Sequence, residues 1–238
     1  MPEPTPPIPH PDSPHSLHGH ASEARDSLAA TLSRYELALS PDVIVRLEDY
    51  CGHLWDWNRK LNLTRHTDYE KFVTRDLTDS MQLAELLKPG EVVLDVGSGG
   101  GVPGIVLAIL RPELRVSLSD SVGKKAAALG SIVESLRLAI PVYNARAEHL
   151  LADLRFDALT ARAVGPLWKM LKWFQPHWSS IGRLLIIKGP KWVEERGEAR
   201  HRGLLQNVAL RRASVYTTPG TDAENVILKI WPKGREEP

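Results

Sequence analysis

The sequence predicts an α/β fold, in which helices cover both faces of a seven-stranded, mostly parallel sheet and an N-terminal helical cap is added to it. From Glu91 onward, short apolar segments alternate with helical patterns, as parallel strands joined by crossover helices require. The segment 92–96 is typical of a strand buried on both faces, and a glycine-rich turn follows it at once. The last two apolar segments, 208–217 and 223–231, flank a Pro-Gly turn, which indicates an antiparallel pair.

The composition is that of an ordinary soluble globular protein. Of the 238 residues, 42% are hydrophobic and 25% are charged, and the net charge is +1. The single cysteine, Cys51, permits no internal disulfide, which fits a reducing cytosol. The longest apolar run, 102–110, is too short to span a bilayer, and the N-terminus lacks the basic start and apolar core of a signal peptide. We therefore expect a cytoplasmic protein without a membrane segment.

The composition along the chain predicts four segments. Residues 1–22 carry seven prolines, four histidines and no Lys or Arg, so we expect a disordered tail and no metal site there. Apolar residues at three- and four-residue steps predict a helical cap over 23–88, with a break at Ser40-Pro41. The α/β domain then covers 89–232, and 233–238 form a flexible C-terminus.

Within the α/β domain, each element has its own pattern. Strands are expected near 91–96, 115–120, 140–144, 156–161 and 183–188. Helices are expected near 103–110, 123–138 and 166–178. Proline suits the first turn of a helix, so Pro103 places the start of the first of these helices.

The glycine-rich turn, 97–104, predicts a ligand cradle at a helix N-terminus, because glycine permits positive φ and close approach of the backbone. Its Gly-x-Gly-x-x-Gly spacing matches a dinucleotide fingerprint. Asp95, two residues before the first glycine, would repel a pyrophosphate and would suit an ammonium or sulfonium group at the mouth of the cradle. Asp120 ends the second strand and fits a ribose diol, which NAD and S-adenosylmethionine share. A turn that binds no ligand is the third alternative.

Several motifs in order make the sequence resemble the small-subunit ribosomal RNA methyltransferase G family, also called glucose-inhibited division protein B, over residues 40–231. The motifs are Trp57–Thr64 (WNRKLNLT), Arg75–Ser80 (RDLTDS), Asp95–Gly104 (DVGSGGGVPG), Asp120–Lys125 (DSVGKK), Arg146–Glu148 (RAE), Arg162-Ala163 and Lys188-Gly189. One position departs from the family: Asp76 stands where the family has a histidine.

The resemblance implies a Rossmann-like methyltransferase sheet and methyl transfer from S-adenosylmethionine to N7 of a guanine in small-subunit ribosomal RNA. The partner would be that RNA or the small ribosomal subunit, and we expect a monomer with no metal. The implied cofactor residues are Asp95, Gly97, Gly99, Gly101 and Val102 for the methionine part, Asp120 for the ribose, and Ala147 and Glu148 for the adenine. The implied catalytic residues are Arg162 facing the methyl group, where it also touches the cofactor, Arg75 at the substrate mouth and Lys188 at the RNA backbone.

Some features keep alternatives open. Between Arg183 and Arg212, eight Lys and Arg residues stand against three Glu, which predicts either a phosphate-facing surface or a solvated helix face. Trp168 and Trp173 are expected in the core rather than stacked on bases. The alternative functions are a methyltransferase for another RNA or a small molecule, a nucleotide-dependent oxidoreductase, and an inactive cofactor-binding protein, which Asp76 leaves possible.

Overall fold

The computed structural model describes residues 27–238. The predicted tail, 1–22, and the first residues of the predicted cap lie outside the described part of the chain. Within residues 27–238, no helix combines the length and the apolar character needed to cross a membrane.

The cap consists of helices whose starts follow from local sequence. Helix α1 spans Leu28–Arg34 and α2 spans Pro41–Asn58, with proline in the first turn. Helix α3, Tyr69–Lys71, continues through a π-helical segment, Phe72–Leu77, into α4, Thr78–Ala84. Asp68 caps α3, because its side chain accepts a hydrogen bond from the backbone N–H of Lys71. The π-helical segment carries Arg75 and Asp76, and such segments are frequent at functional sites.

The α/β domain alternates strands and helices as predicted. Its elements are β1 (Val92–Val96), α5 (Gly104–Leu110), β2 (Arg115–Ser119), α6 (Gly123–Ser135), β3 (Val142–Tyr143), α7 (Ala147–Leu150), β4 (Phe156–Arg162), α8 (Leu167–Phe174), β5 (Ile181–Lys188), α9 (Trp192–His201), β6 (Val208–Thr217) and β7 (Glu224–Pro232). A 3₁₀ turn, Gln175–Ser180, joins α8 to β5.

The seven strands form one sheet in the order β3-β2-β1-β4-β5-β7-β6. The first five in that order are parallel, whereas β7 runs antiparallel to both β5 and β6. The predicted fold class is therefore confirmed. The strand order reverses between β1 and β4, and open α/β sheets bind ligands at the carboxyl ends of the strands beside such a reversal.

Three details differ from the sequence-based expectations. Strand β3 has only two residues, and α6 ends at Ser135, after which Arg137 takes a positive φ of 52°. Helices α7 and α9 were not among the predicted elements. Helix α7 has four residues, and α9 is polar around most of its surface, burying only Trp192 and Ala199, so neither shows a helical apolar period.

The cap and the sheet share one apolar core. Leu47, Leu54 and Leu83 of the cap belong to the same cluster of buried side chains as Val93 and Leu185 of the sheet. Helices α5 and α6 complete this face, and α7, α8 and α9 cover the other face with a second cluster. The position of the cap over the carboxyl end of β1 is thus determined by the same apolar packing that stabilises the sheet.

Candidate functional site

Two cavities meet at the glycine-rich loop. The first, of about 220 Å³, is the nucleoside cavity, lined by Val96, Gly97, Ser119, Asp120, Ser121, Ala145, Arg146, Ala147, Glu148, Val164 and Trp173. The second, of about 190 Å³, is the cap-side cavity, lined by Leu54, Leu63, Thr64, Gly97, Ser98, Gly99, Gly100, Val102, Lys125, Arg162 and Ala163. Gly97 lines both, so the end of β1 separates the two spaces.

The loop needs glycine at three positions, of which Gly97 and Gly99 line the cavities while Gly101 is buried and lines neither. Gly97 has φ +65°, and a Cβ there would lie 2.9 Å from Cγ2 of Val164. Gly101 has φ +103°, and a Cβ there would lie 2.6 Å from Cδ1 of Ile105. Gly99 also has a positive φ, of 56°. A side chain at Gly97 would therefore strain the backbone and collide with Val164, which lines the nucleoside cavity.

Asp120 lies in the wall of the nucleoside cavity, as its predicted role requires. Its Oδ2 accepts a hydrogen bond from the N–H of Gly99 at 3.0 Å, and its Oδ1 accepts one from the N–H of Val122 at 2.8 Å. These bonds hold the carboxylate against the loop. Each carboxylate oxygen accepts more than one hydrogen bond, so both remain acceptors for a ribose diol.

The far wall of the nucleoside cavity comes from two helices. Ala147 and Glu148, which the resemblance assigns to the adenine, begin α7 and line the cavity. Trp173 of α8, which was expected in the core, is half-buried and lines the same cavity. The sequence carried no signal for this, because Trp173 falls within a strongly apolar helix whose buried and cavity-facing positions look alike.

Asp95 lies beneath the loop and not at its mouth. It is fully buried and lines neither cavity. Its Oδ1 accepts a hydrogen bond from the Thr160 hydroxyl at 3.0 Å, and its Oδ2 accepts one from the N–H of Gly104 at 3.2 Å. Burial raises the pKa of Asp95 to about 6, against the opposing effect of these hydrogen bonds. The expected position was wrong because the side chain points to the face that α5 covers.

Arg162, the last residue of β4, lines the cap-side cavity and is held by two carboxylates. Its Nη1 donates to Oδ1 of Asp76 at 2.6 Å and to Oδ2 of Asp79 at 3.2 Å. Burial disfavours the charged guanidinium, but the attraction of Asp76 and Asp79 outweighs it and raises the pKa of Arg162. Burial raises the pKa of Asp79, whose Oδ1 also accepts a hydrogen bond from the Tyr216 hydroxyl at 2.6 Å.

The other two predicted catalytic residues lie in different surroundings. Arg75 is exposed on the π-helical segment and lines neither cavity. Lys188 is buried: its Nζ donates to the carbonyl of Gly165 at 2.6 Å and pairs with Glu195 at 2.7 Å. The expected contact of Lys188 with the RNA backbone therefore has to be corrected, because α9 brings Glu195 over the end of β5 and encloses the ammonium group.

The basic stretch 183–212 is only in part an exposed surface. Arg183 is buried and forms a two-nitrogen ion pair with Glu91, at 2.7 and 2.8 Å. The guanidinium carbon, Cζ, of Arg202 lies 4.0 Å from the centre of the Trp168 ring, as in a cation–π contact. Arg196 and Arg200 line a groove that also contains Lys233, which follows the end of β7. Because β7 is antiparallel to β5, this groove lies toward the amino ends of the parallel strands and not at the glycine-rich loop.

Among residues 27–238, no group of three or more His, Cys, Asp or Glu side chains is arranged to hold a metal ion.

Comparison with known proteins identifies the family. The GidB family model, described as rRNA small subunit methyltransferase G, matches residues 44–220. Ribosomal RNA small subunit methyltransferase G of Rhodopirellula baltica is 54% identical over 185 residues, which are 78% of this chain and 80% of that protein. The protein of the same name from Roseiflexus sp. is 37% identical over 219 residues, covering 87% of this chain and 92% of the relative.

Two solved structures share the fold. A variant of MtNAS in complex with S-adenosylmethionine gives a TM-score of 0.52 at 16% identity, covering 89% of this chain and 80% of that one. M. capricolum TrmK in complex with S-adenosyl-homocysteine also gives 0.52 at 16% identity, covering 65% and 68% of the two chains. At these identities the structures support the fold alone. The family model and the two relatives each match most of the chain, and they show that it belongs to the rRNA small subunit methyltransferase G family.

Proposed function

We propose that this chain transfers the methyl group of S-adenosylmethionine to N7 of a guanine in small-subunit ribosomal RNA. The observation that carries the proposal is the pair of cavities on either side of Gly97, one lined by Asp120 and the other by Arg162. The first has the dimensions and the acidic group for a nucleoside, and the second opens beside the same loop for the reacting base. The family of the chain names the substrate class.

The residues around the loop fit S-adenosylmethionine. Asp120 would accept hydrogen bonds from the ribose hydroxyls, and Ala147, Glu148 and Trp173 would surround the adenine. The methionine part would lie along the loop, at Gly97, Gly99, Gly101 and Val102. Asp95 would act from beneath, because its hydrogen bond to Gly104 connects β1 to the start of α5.

The bound cofactor supplies an electrophilic methyl group on a sulfonium. Guanine N7 carries a free lone pair, so this chain would need no general base. Transfer would form the N–C bond as the S–C bond breaks, leaving the electron pair on sulfur and the positive charge on the base. The protein's contribution is to hold N7 in line with the methyl group at close distance. Arg162 lines the space where this alignment would occur, and the carboxylates of Asp76 and Asp79 behind it offset its positive charge, which would otherwise oppose the cation that develops on the base.

The RNA would cross the face at the carboxyl ends of the parallel strands. Exposed Arg75 on the π-helical segment and Lys125, which lies at the start of α6 and lines the cap-side cavity, would contact the RNA there. Such groups position the RNA through its phosphates and make binding depend on salt. The proposed substrate is the small ribosomal subunit or its RNA. The proposal includes that the chain acts as a monomer and that it acts in the cytoplasm, where the small subunit is assembled.

The test is transfer of tritiated methyl groups from S-adenosylmethionine into unmethylated small subunits and into naked small-subunit RNA, followed by mapping of 7-methylguanosine. Nucleoside mass spectrometry of RNA from cells with and without the gene provides the second measurement. We expect one 7-methylguanosine to depend on the gene. If the protein binds S-adenosyl-homocysteine but neither substrate accepts a methyl group, the proposed substrate is wrong.

A further inference from the structure

A buried polar network connects the cap to the end of β4. His66 Nδ1 and Arg162 Nη1 both contact Oδ1 of Asp76, at 2.8 and 2.6 Å. The same Nη1 reaches Asp79, which in turn accepts a hydrogen bond from Tyr216 of β6. The network therefore joins the loop after α2, the π-helical segment, α4, β4 and β6 at one guanidinium.

Asp76 is the centre of this network, and burying its carboxylate costs free energy of folding. It has no exposed surface, and its Oδ2 has no hydrogen-bond partner within residues 27–238. A buried ion pair is often no more stable than apolar groups of the same shape, and an unpartnered buried oxygen reduces stability further. Stability alone therefore does not explain why a carboxylate is placed here.

Arg162 shows what the carboxylate achieves. Both of its hydrogen bonds use Nη1, so within the described residues Nε and Nη2 make none. The shorter of the two bonds goes to Asp76, at 2.6 Å against 3.2 Å for the bond to Asp79. Asp76 thus fixes one edge of the guanidinium and leaves other donors to the cap-side cavity, which Arg162 lines.

His66 is itself held by the segment that forms this cavity. Its backbone carbonyl accepts a hydrogen bond from Nε1 of Trp55 at 2.9 Å, and its N–H donates to the Thr64 hydroxyl at 2.9 Å. Asn58 accepts hydrogen bonds from the N–H groups of Leu63 and Thr64, which both line the cavity. The imidazole is therefore presented to Asp76 by a braced loop.

We infer that Asp76 and His66 are positioning residues that act through Arg162, holding its guanidinium at the wall of the cap-side cavity for the methyl transfer. The inference rests on the proposed function for its effect on turnover, but not for its geometry. The inference also explains how this chain differs from its family, which has a histidine at position 76. Here the carboxylate of Asp76 is paired with an imidazole that comes from His66.

Comparing kcat with the binding constants of each variant distinguishes a positioning role from a role in folding. Asp76→Asn should lower kcat about tenfold, while KM for RNA and Kd for S-adenosyl-homocysteine stay within about twofold, because only the alignment of Arg162 is lost. His66→Ala should lower kcat severalfold, and His66→Gln should restore most of it, since the amide still donates to Asp76. The control is Asp157→Asn, a carboxylate that accepts a hydrogen bond from the N–H of Val92 at the amino ends of β1 and β4, away from the two cavities. A lower melting temperature of Asp76→Asn, with S-adenosyl-homocysteine binding lost in parallel, would mean that Asp76 is structural and would overturn the inference.

A double-mutant cycle tests whether the effect passes through Arg162. In an Arg162→Ala background, Asp76→Asn should cause no further loss of kcat, because the side chain that Asp76 positions is absent. If the two losses multiply instead, Asp76 acts independently of Arg162 and the inference is wrong.

A third measurement does not need methyl transfer. Phenylglyoxal labelling of Arg162, followed by peptide mass spectrometry, should be severalfold faster in Asp76→Asn and His66→Ala than in the unchanged protein or Asp157→Asn. Equal labelling rates would overturn the inference whatever the activity. If the unchanged protein methylates no RNA but the labelling rates differ as expected, the proposed function fails while the positioning of Arg162 stands.

Discussion

The hydroxyl of Tyr50 on α2 donates a hydrogen bond to the carbonyl oxygen of Gly100 in the glycine-rich loop, at 2.9 Å. Tyr50 is fully buried, and burial raises its pKa well above the ordinary value, so the hydroxyl remains a donor throughout the physiological range. Leu54 of the same helix lies beside this glycine, because a Cβ added at Gly100 would come within 2.9 Å of its Cδ1. The cap therefore braces the loop directly.

Removing this brace should weaken both the fold and the cofactor site. Tyr50→Phe leaves the Gly100 carbonyl buried without a partner, so we expect a loss of about 1–2 kcal/mol in the free energy of unfolding. Affinity for S-adenosyl-homocysteine should fall as the loop gains freedom. Urea denaturation and calorimetry measure the two effects. The matched control is Tyr69→Phe, whose hydroxyl makes no hydrogen bond within residues 27–238; an equal effect there would contradict the bracing role.

Gly97→Val should abolish binding of S-adenosyl-homocysteine. A side chain at this positive φ would be strained and would collide with Val164 in the wall of the nucleoside cavity. Calorimetry with S-adenosyl-homocysteine and with NADH measures the effect, and the unchanged protein should bind only the former. Gly130→Ala is the control: a Cβ there contacts nothing within 4 Å, and we expect a gain of about 0.5–1 kcal/mol in stability. Tighter binding of NADH than of S-adenosyl-homocysteine would overturn the cofactor assignment.

The raised pKa of Asp95 predicts a pH dependence of stability. Its carboxyl titrates at about 6 in the folded protein and at an ordinary 3.8 when exposed, so the folded state binds the proton more tightly. This contribution is fully present below pH ~4 and is lost as the pH rises through ~6, for a total of about 3 kcal/mol. The difference in unfolding free energy between the unchanged protein and Asp95→Asn should therefore fall across that interval. A difference that stays flat or rises in urea denaturation series would show that Asp95 is not buried as described.

Substitutions at Arg75 and at Lys188 should have different effects: the first should weaken RNA binding, and the second should lower stability. Arg75→Ala should reduce RNA affinity and lower the slope of log affinity against log salt by about one, if its exposed guanidinium neutralises one phosphate. Arg155→Ala, exposed at the amino end of β4, is the control and should change neither quantity. Fluorescence titrations at several salt concentrations measure the slope, and an unchanged slope would exclude Arg75 from the RNA surface.

Lys188→Met is expected to act on stability instead. It removes the partner of half-buried Glu195 and the donor to Gly165, so the free energy of unfolding should fall by about 3 kcal/mol while the salt slope stays unchanged. If Lys188→Met is as stable as the unchanged protein but has a reduced salt slope, Lys188 contacts the RNA after all and its structural role is wrong.

The local sequence by itself determined the α/β class, the bounds of the long strands within one or two residues, and the glycine-rich loop. Periodicity and the conformational demands of glycine and proline act over a few residues, so they can be read without the fold. The cradle between β1 and α5 and the placement of Asp120 beside it followed from this local information.

Only the tertiary structure decided which charged groups are available. Arg183 pairs with Glu91, 92 positions away, and Arg162 pairs with Asp76, 86 positions away. In the sequence these arginines look no different from exposed Arg75. The burial of Asp95 and the exposure of Trp173 to the nucleoside cavity were hidden for the same reason. Partners for charges and cavities are set by contacts between distant segments, and these exist only once the cap, the sheet and its covering helices have packed together.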